Sequence, residues 1–296
     1  MHNDKLILVD AFSLIYRAFY AIRSLTGPDG QPVNAVYGFT KMIRRLIATH
    51  QPSLCAIVFD CGAPQRRLAL LPSYKEQRPP TPPDLESQLP AIREILLASH
   101  LAIAEIPGEE ADDIVATIAA QAAAQEMTVL IASQDKDFCQ IISPRINLLR
   151  PDPPDAPPMD AKAVQARYGV TPEQMVDFLS LVGDSVDNIP GVSGIGEKTA
   201  ADLLRQYATI DNLLLHAPTL DKPRLRGPLQ AAADRLRANR ELIRLHTDIP
   251  LPWSLNDFRL QPPDEARLRE LFTRCGFRSL LAELGQRNDG ELLLGL

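Results

Sequence analysis

The sequence predicts an α/β fold in which helices flank a parallel β-sheet. Short aliphatic runs alternate along the chain with segments whose apolar residues recur at the spacing of one helix face. Each of four such runs is followed within a few residues by acidic side chains. The chain of 296 residues is 45% hydrophobic, which is enough for one large core, or for one core and a small second module.

The predicted strands occupy residues 5–10, 55–60, 101–106 and 128–132. Helical patterns at residues 11–21 and 36–49 follow the first strand, and another at about 84–99 precedes the third. Strands that alternate with helices in this way form parallel sheets with helices on both faces. Ligands of such sheets bind beyond the carboxyl ends of the strands, so the acids that follow these strands should share one edge.

An unusually dense group of acids precedes the next helical pattern. Residues 106–113 read Ile-Pro-Gly-Glu-Glu-Ala-Asp-Asp. Carboxylates in the first turn of a helix interact favourably with its positive end, which accounts for one or two of them. Four carboxylates within five positions repel one another unless a cation lies among them. The run therefore predicts one wall of a divalent-metal site.

The candidate metal ligands share a position just after a predicted strand. They are Asp10, Asp60, Glu110, Asp112, Asp113, Asp135 and Asp137. A loop cap or a solvated turn is the simpler interpretation of any one acid alone, but not of the whole set. Oxygen ligands without clustered His or Cys favour Mg²⁺ or Mn²⁺ over zinc. Two such ions about 4 Å apart usually serve the in-line attack of water on a phosphodiester.

Cations and an aromatic residue lie between the second and third strands. Arg67, Lys75 and Arg78 would stand beside the acidic edge, with Tyr74 next to Lys75. Cations in this position can hold a phosphate and offset developing charge, and Tyr74 offers a stacking surface for an unpaired base. A solvated helix face is the alternative interpretation of this stretch.

A glycine-rich hairpin forms the second informative segment. Gly191, Gly194 and Gly196 precede a helix that starts near Lys198, so backbone N–H groups at a helix N-terminus can hold phosphate. The glycine spacing of a nucleoside-triphosphate loop is missing. Such a hairpin suits sequence-independent contact with a duplex backbone, whereas a helix cap and tight turn would explain one glycine only. Asp184 and Asp187 precede the hairpin and are expected to join the metal edge.

Composition adds weaker constraints. The net charge of -6 argues against nucleic-acid binding by bulk attraction, although metal ions would neutralise an acidic centre. The four cysteines lack metal-ligand spacing, so buried reduced thiols are expected. We expect a cytoplasmic protein, because there is no signal sequence and no apolar run that could span a bilayer. Residues 151–158 should form a rigid linker, and the basic region 224–244 a solvated face or an extension of the duplex contact.

Several motifs occur in a fixed order between about residue 5 and about residue 285. They are Leu8-Val9-Asp10, Tyr16-Arg17-Ala18-Phe19, Phe59-Asp60, Arg67, Tyr74-Lys75 with Arg78-Pro79-Pro80, the acidic run 108–113, Asp135-Lys136-Asp137, the run 183–188 and the hairpin 191–200. In this combination the chain resembles the 5′-3′ exonuclease domain of bacterial DNA polymerase I and the wider flap endonuclease family. The resemblance implies a PIN-like core at residues 1–180 with a helical arch at about 64–98. It also implies a helix-hairpin-helix DNA-binding module, with C-terminal helices that pack on the core, at residues 181–296.

The resemblance also implies roles for individual residues. The first metal site would comprise Asp10, Asp60, Glu110 and Asp112, and the second Asp135, Asp137 and Asp187, with Asp113 and Asp184 nearby or bridging through water. Arg67, Lys75 and Arg78 would be the arch cations that act in catalysis beside Tyr74. DNA phosphate and K⁺ would bind at Gly191, Val192, Gly194, Ile195, Gly196, Lys198 and Thr199, and Arg17 would also contact DNA. The pattern departs from the family at Ala11 and at Ser133-Gln134, which are neighbours of ligands.

The implied function is a metal-dependent 5′-3′ exonuclease and 5′-flap endonuclease that acts in primer removal and repair. Its substrates would be branched or 5′-flap DNA, nicked duplex and RNA/DNA primers. We expect a monomer with a functional link to a DNA polymerase. Two alternatives remain: a branched-DNA binder with weak catalysis would not need the acids, and a PIN-type ribonuclease would not need the hairpin.

Overall fold

A five-stranded sheet lies at the centre of the computed structural model, which describes residues 4–150 and 156–285. The strands are β1 (Lys5–Asp10), β2 (Leu54–Val58), β3 (Ala102–Ala104), β4 (Thr128–Ala132) and β5 (Ile146–Leu149). Their order is β3-β2-β1-β4-β5, and every neighbouring pair is parallel. The predicted parallel sheet is therefore confirmed.

The strands differ in detail from the prediction. The strand β5 was not predicted, because a run of four residues that includes Asn147 and follows Pro144 closely is hard to distinguish from a loop. The strand β2 ends two residues before Asp60, and β3 has only three residues. The backbone N–H of Phe59 still donates to the carbonyl of Ala104 over 2.9 Å, so β2 and β3 remain side by side up to the acidic loops.

Helices cover both faces of the sheet. In the first part of the chain they are α1 (Ala11–Ala21), α2 (Asn34–His50), α3 (Gln65–Leu70), α4 (Pro83–Glu86), α5 (Leu89–Ala98), α6 (Ala111–Ala124) and α7 (Ala161–Tyr168). Side chains alternate along β1, so Ile7 and Val9 pack with α1, α2 and α5, while Leu6 and Leu8 pack with α6. Two C-terminal helices, α13 (Glu265–Cys275) and α14 (Arg278–Gly285), complete the core on the α1 side.

The predicted helix at 84–99 is broken into α4 and α5. Gln88 lies at the break and is 2% exposed. Its amide oxygen accepts hydrogen bonds from the backbone N–H groups of Ala35 (2.8 Å) and Val36 (3.3 Å), and its amide nitrogen donates to Asn34 over 3.0 Å. The first turn of α2 is therefore capped by a side chain from the predicted arch, which fixes the end of that segment to the core.

The second part of the chain is helical around a short hairpin. The helices are α8 (Met175–Val182), α9 (Glu197–Tyr207), α10 (Ile210–His216), α11 (Pro223–Ala231) and α12 (Ala233–Ile243), and the hairpin strands are β6 (Gly183–Asp184) and β7 (Ile189–Pro190). Short 3₁₀ turns lie at Asp137–Ile141, Pro172–Gln174, Ala217–Thr219 and Leu255–Phe258. Thr171 caps the second of these turns with both hydrogen bonds of a capping box. The basic region predicted at 224–244 is thus two helices.

Smaller points concern the cysteines, membrane-spanning helices, the predicted linker and the predicted domain division. All four cysteines are free, and Cys55, Cys139 and Cys275 are buried. Within the described ranges, no helix is long and apolar enough to cross a membrane. Of the predicted linker, residues 151–155 lie outside the described residues. One hydrophobic cluster contains residues of α6, α8, α9 and α12, so the core is continuous across the predicted domain boundary between residues 180 and 181. That boundary stays a prediction.

Two glycines allow the hairpin to close onto α8. Gly183 has a φ of +81°, and a Cβ there would lie 2.3 Å from the backbone nitrogen of Gly191. A Cβ on Gly191 would lie 2.1 Å from the carbonyl oxygen of Val182. Only glycine fits where two backbones approach so closely. The contact fixes the start of the glycine-rich loop relative to the end of α8.

We expect Gly191→Ala to lower the free energy of unfolding by at least about 2 kcal/mol, because the added methyl group meets backbone atoms that cannot rotate away. Gly196→Ala is the matched control: a Cβ at Gly196 meets nothing within 4 Å, so less than about 1 kcal/mol should be lost. Urea denaturation of both variants measures the difference. Equal losses would contradict the proposed role of the close backbone contact.

Candidate metal and nucleic-acid site

A cleft of about 650 Å³ opens at the carboxyl ends of β1, β2 and β4. Its acidic lining residues are Asp10, Asp60, Asp112, Asp135, Asp137, Asp184 and Asp187. Its basic lining residues are Lys75, Arg78, Lys136, Arg150 and Arg167. The fold therefore brings together acids from five separate segments of the chain, as the strand pattern predicted.

Hydrogen bonds hold two of the carboxylates, those at the ends of β1 and β2, in place. Asp10 ends β1 and accepts from the backbone N–H of Ser13 (3.3 Å) and from the hydroxyl of Ser133 (2.6 Å). Asp60 accepts from the N–H of Ala111, the first residue of α6, over 2.9 Å. Ser133 is one of the two departures noted in the sequence. Its hydroxyl also accepts from the N–H of Asp135 over 3.0 Å, so this departure links two cleft acids.

Burial and mutual repulsion disfavour the charged forms of these acids. Burial raises the pKa of Asp10 to about 7, with further contributions from the charges of Asp60 and Asp135, although the hydrogen bond from Ser133 opposes the shift. Burial, followed by the charge of Asp135, also raises the pKa of Asp112 and that of Asp137. The cleft thus carries more negative charge than its own cations balance.

The chemistry of the residues that line the cleft suits hard divalent cations. All its acidic donors are carboxylate oxygens, the ligands that Mg²⁺ and Mn²⁺ prefer. Within residues 4–150 and 156–285, no three His, Cys, Asp or Glu side chains converge closely enough to hold an ion as they stand. The carboxylates are instead spread around the cleft. Cations that entered would relieve the repulsion that raises the pKa values.

Lys75 and Arg78 are held at the cleft by acidic partners. The Lys75 ammonium forms an ion pair with Glu110, and Arg78 binds Asp187 over 2.5 Å. Burial alone would lower the pKa of Lys75, but the charges of Glu110 and Asp112 outweigh it and raise that pKa above its usual value. Lys75 is therefore a permanent cation at the rim of the cleft.

Tyr74 is placed differently from the expectation. Its side chain is 6% exposed and packs in the hydrophobic core, so it offers no stacking surface for a base. Its hydroxyl donates to Asp187 over 3.1 Å. The aromatic residues that line the cleft are Phe12 and Tyr16, one turn apart on α1, and Tyr168 at the end of α7. The helical spacing of Phe12 and Tyr16 was the available signal in the sequence for the two rings on α1.

Arg67, Glu110 and Asp113 form a buried cluster behind the cleft instead of lining it. Arg67 is 5% exposed and pairs with both oxygens of Asp113 and, over 2.5 Å, with Glu110. Its Nε donates to the carbonyl of Leu242 at the end of α12 over 2.9 Å. Asp113 also accepts from the N–H of His246. This placement corrects the prediction of Arg67 as an arch cation and of Asp113 as a ligand near the metals, because both are used to join α3, α6 and α12.

The glycine-rich loop has the form that the sequence predicted. Val192 and Ile195 are 4% and 5% exposed, so their side chains anchor the loop and only their backbone can face a ligand. Gly194, Gly196 and Lys198 are exposed, and Thr199 is half-buried in the first turn of α9. Arg17 lies on α1 and is not among the residues that line the cleft.

Comparison with protein families matches most of the chain. A family described as 5′-3′ exonuclease, N-terminal resolvase-like domain, matches residues 5–169. A second, described as 5′-3′ exonuclease, C-terminal SAM fold, matches residues 170–266. These matches agree with the α/β core and the helical second part seen in the structure.

Relatives include two kinds of protein. The 5′-3′ exonuclease of Aquifex aeolicus is 35% identical over 279 residues, which cover 94% of each chain. DNA polymerase I of Bacillus caldotenax is 38% identical over 291 residues, which cover 98% of this chain and 33% of the relative. The chain thus spans about a third of the length of the polymerases that it matches.

Solved structures share the fold at low sequence identity. The T5 D15 protein co-crystallised with metal ions has a TM-score of 0.69 and 21% identity over 81% of this chain and 89% of that one. The T5 D15 flap endonuclease (D155K), in a pseudo-enzyme-product complex with DNA and metal ions, has a TM-score of 0.68 and 19% identity over 96% of this chain and 100% of that one. The catalytic core of Rad2 in complex with DNA substrate has a TM-score of 0.60 and 17% identity over 93% and 88% of the two chains.

Arg67→Ala should lower the free energy of unfolding by about 3–5 kcal/mol, because it leaves the buried carboxylate of Asp113 without its cation and that of Glu110 with Lys75 alone. The neighbouring Arg66→Ala is the control. Arg66 pairs with Glu109 at the surface, where its side chain is 44% exposed, so its loss should cost less than about 1 kcal/mol. Denaturant titration of the two variants measures both. A small effect of Arg67→Ala would contradict its assignment to the buried cluster.

Proposed function

Because the chain belongs to the 5′-3′ exonuclease family, we propose that it is a metal-dependent nuclease that cleaves DNA phosphodiesters as a 5′-3′ exonuclease and 5′-flap endonuclease. The observation that carries the proposal is the single cleft in which seven aspartates from separate segments meet a rim of cations. A protein that only bound DNA would gain nothing from crowding so many carboxylates into one cleft.

The proposed cofactor is Mg²⁺ or Mn²⁺, in two sites. Asp10, Asp60 and Asp112 would hold the first ion, with Glu110 behind them, and Asp135, Asp137 and Asp187 the second, with Asp184 nearby. Bound divalent ions supply the activation of water and the stabilisation of the leaving oxygen. Asp184 differs from the other acids. Burial alone would raise its pKa, but the hydrogen bond from Lys136 (2.8 Å) lowers that pKa below its usual value.

The basic side chains of the cleft would bind the phosphate that is cut. Lys75 and Arg78 stand at the rim, and both stay charged across the physiological pH range because neighbouring carboxylates raise their pKa values. Their present partners are carboxylates, so a phosphate would replace one anion by another. Phe12 and Tyr16 provide ring faces for an unpaired base in the same cleft.

The glycine-rich loop would hold the duplex beside the cleft. Its exposed Gly194, Gly196 and Lys198 stand at the N-terminus of α9, a position that favours phosphate, and K⁺ is the proposed bridging ion. The proposed substrates are 5′-flap and branched DNA, nicked duplex and RNA/DNA primers. We place the activity in primer removal and repair in the cytoplasm, by a monomer linked to a DNA polymerase. The proposal of DNA as substrate draws support from the T5 D15 and Rad2 structures, which contain DNA.

A labelled 5′-flap substrate tests the proposal directly. Cleavage is expected with Mg²⁺ or Mn²⁺ and not with EDTA, and Asp112→Asn should slow it at least about 100-fold while DNA binding persists. Glu270→Gln is the control, since its side chain is 68% exposed on α13. Metal-independent cleavage would overturn the cofactor assignment. Binding without cleavage would indicate a branched-DNA binder, and preference for single-stranded RNA a PIN-type ribonuclease.

Asp137→Asn should raise the melting temperature of the metal-free protein by about 2–4 °C, the size expected for about 1 kcal/mol. The physical reason is that burial and the charges of Asp135 and Asp187 disfavour the ionised Asp137 carboxylate. Mn²⁺ should stabilise the wild-type chain more than the variant, so the order reverses on titration. Thermal melting in EDTA and in Mn²⁺ measures both effects. Equal stabilisation by Mn²⁺ would remove Asp137 from the ligand set.

A further inference from the structure

The turn that carries Lys75 packs directly against the turn between β6 and β7. We call residues 73–78 the lysine turn and residues 185–188 the hairpin turn. Asn188 donates from its amide nitrogen to the carbonyl of Ser73 over 2.9 Å, and its amide oxygen accepts from Gln77 over 3.2 Å. The backbone N–H of Lys75 donates to the carbonyl of Asp187 over 3.2 Å. Asn188 thus contacts both ends of the lysine turn.

Both turns have a residue in the left-handed region at the point of contact. Lys75 has a φ of 56° and Asn188 a φ of 60°. Asn adopts this conformation readily, whereas Lys does so at an energetic disadvantage that surrounding contacts must offset. The Asn188 amide supplies such contacts at Ser73 and Gln77, on either side of Lys75, and the carbonyl of Asp187 supplies one at Lys75 itself. From this backbone conformation the Lys75 side chain lines the cleft and reaches the carboxylate of Glu110 behind it.

We propose that Asn188 is a positioning residue, which holds the lysine turn so that the Lys75 ammonium enters the carboxylate cleft. The proposal rests on the proposed function of Lys75 in binding the phosphate that is cut. Asn188 itself is not among the residues that line the cleft, so it acts through Lys75. Through Asn188, the second part of the chain sets the geometry of a cation that the first part supplies.

Two substitutions of Asn188 separate the role of its amide from that of its backbone conformation. Asn188→Gly keeps access to a φ of 60° and removes both amide hydrogen bonds, whereas Asn188→Ala also introduces strain. Ser185→Ala is the matched control, because Ser185 lies exposed in the same turn. We expect Asn188→Gly to lower kcat on a 5′-flap substrate about 10-fold with KM changed less than about 2-fold, and Ser185→Ala to leave both unchanged. A change in KM alone would overturn the proposal.

A double-mutant cycle tests whether Asn188 acts through Lys75. In a Lys75→Ala background the lysine is already absent, so Asn188→Gly should slow cleavage less than about 2-fold further. A merely structural role would instead reduce the rate by the same factor in both backgrounds. That result would overturn the proposal.

Limited proteolysis gives a measurement that does not depend on activity. Endoproteinase Lys-C should cut after Lys75 at least about 5-fold faster in Asn188→Gly than in the wild-type chain, because the turn opens more often. The cut after Lys162, exposed on α7, should keep its rate. An unchanged rate after Lys75 would overturn the proposal even if cleavage of DNA fell. If the wild-type chain cut no DNA, the proposed function would fail, whereas faster cutting after Lys75 would still support the positioning contact.

Discussion

Repulsion between the crowded carboxylates of the cleft is the constraint on which the other contacts of this molecule depend. A parallel sheet brings the ends of its strands to one edge, and here β1, β2 and β4 each end at, or within three residues of, an aspartate of the cleft. The free energy of such an arrangement is unfavourable without positive charge, as the raised pKa values of Asp10, Asp112 and Asp137 indicate. The fold tolerates it because a large two-sided core surrounds the sheet. The cleft is therefore a region where the arrangement of charges opposes the stability that the core provides.

Basic side chains of the chain offset part of this repulsion, and they come from positions far from the acids in sequence. Lys75 and Arg78 pair with acids that are 35 and 109 residues away, and Lys136 pairs with Asp184. Each pair links the α/β core with the acidic loops or with the hairpin. The ion pairs of Arg78 and Lys136 therefore balance part of the charge of the cleft and also hold the helical second part against the core. A substitution that removes one of them alters both.

The sequence predicted the large features and failed at specific contacts. Four strands and the acids of the cleft were predictable because hydrophobic runs and strand ends are local signals. The short strand β5 was not, since four residues carry too little periodicity. Arg67 and Tyr74 were assigned to the rim because charge and ring type suggested it, yet both side chains are buried. Only the tertiary fold reveals that Asp113 faces Arg67 on the inner side of α6 while its neighbour Asp112 faces the cleft.

The C-terminal helices α13 and α14 have a consequence for any dissection of this protein. The second family match ends at residue 266, near the start of α13. Phe272 and Leu280, which lie beyond that point, share a hydrophobic cluster with Phe39 of α2 and Ile92 of α5. A fragment that ends at the edge of the family match would therefore expose the hydrophobic surfaces of α2 and α5 that α13 and α14 cover. Aggregation of such a fragment would reflect this exposed surface and not a defect in the cleft.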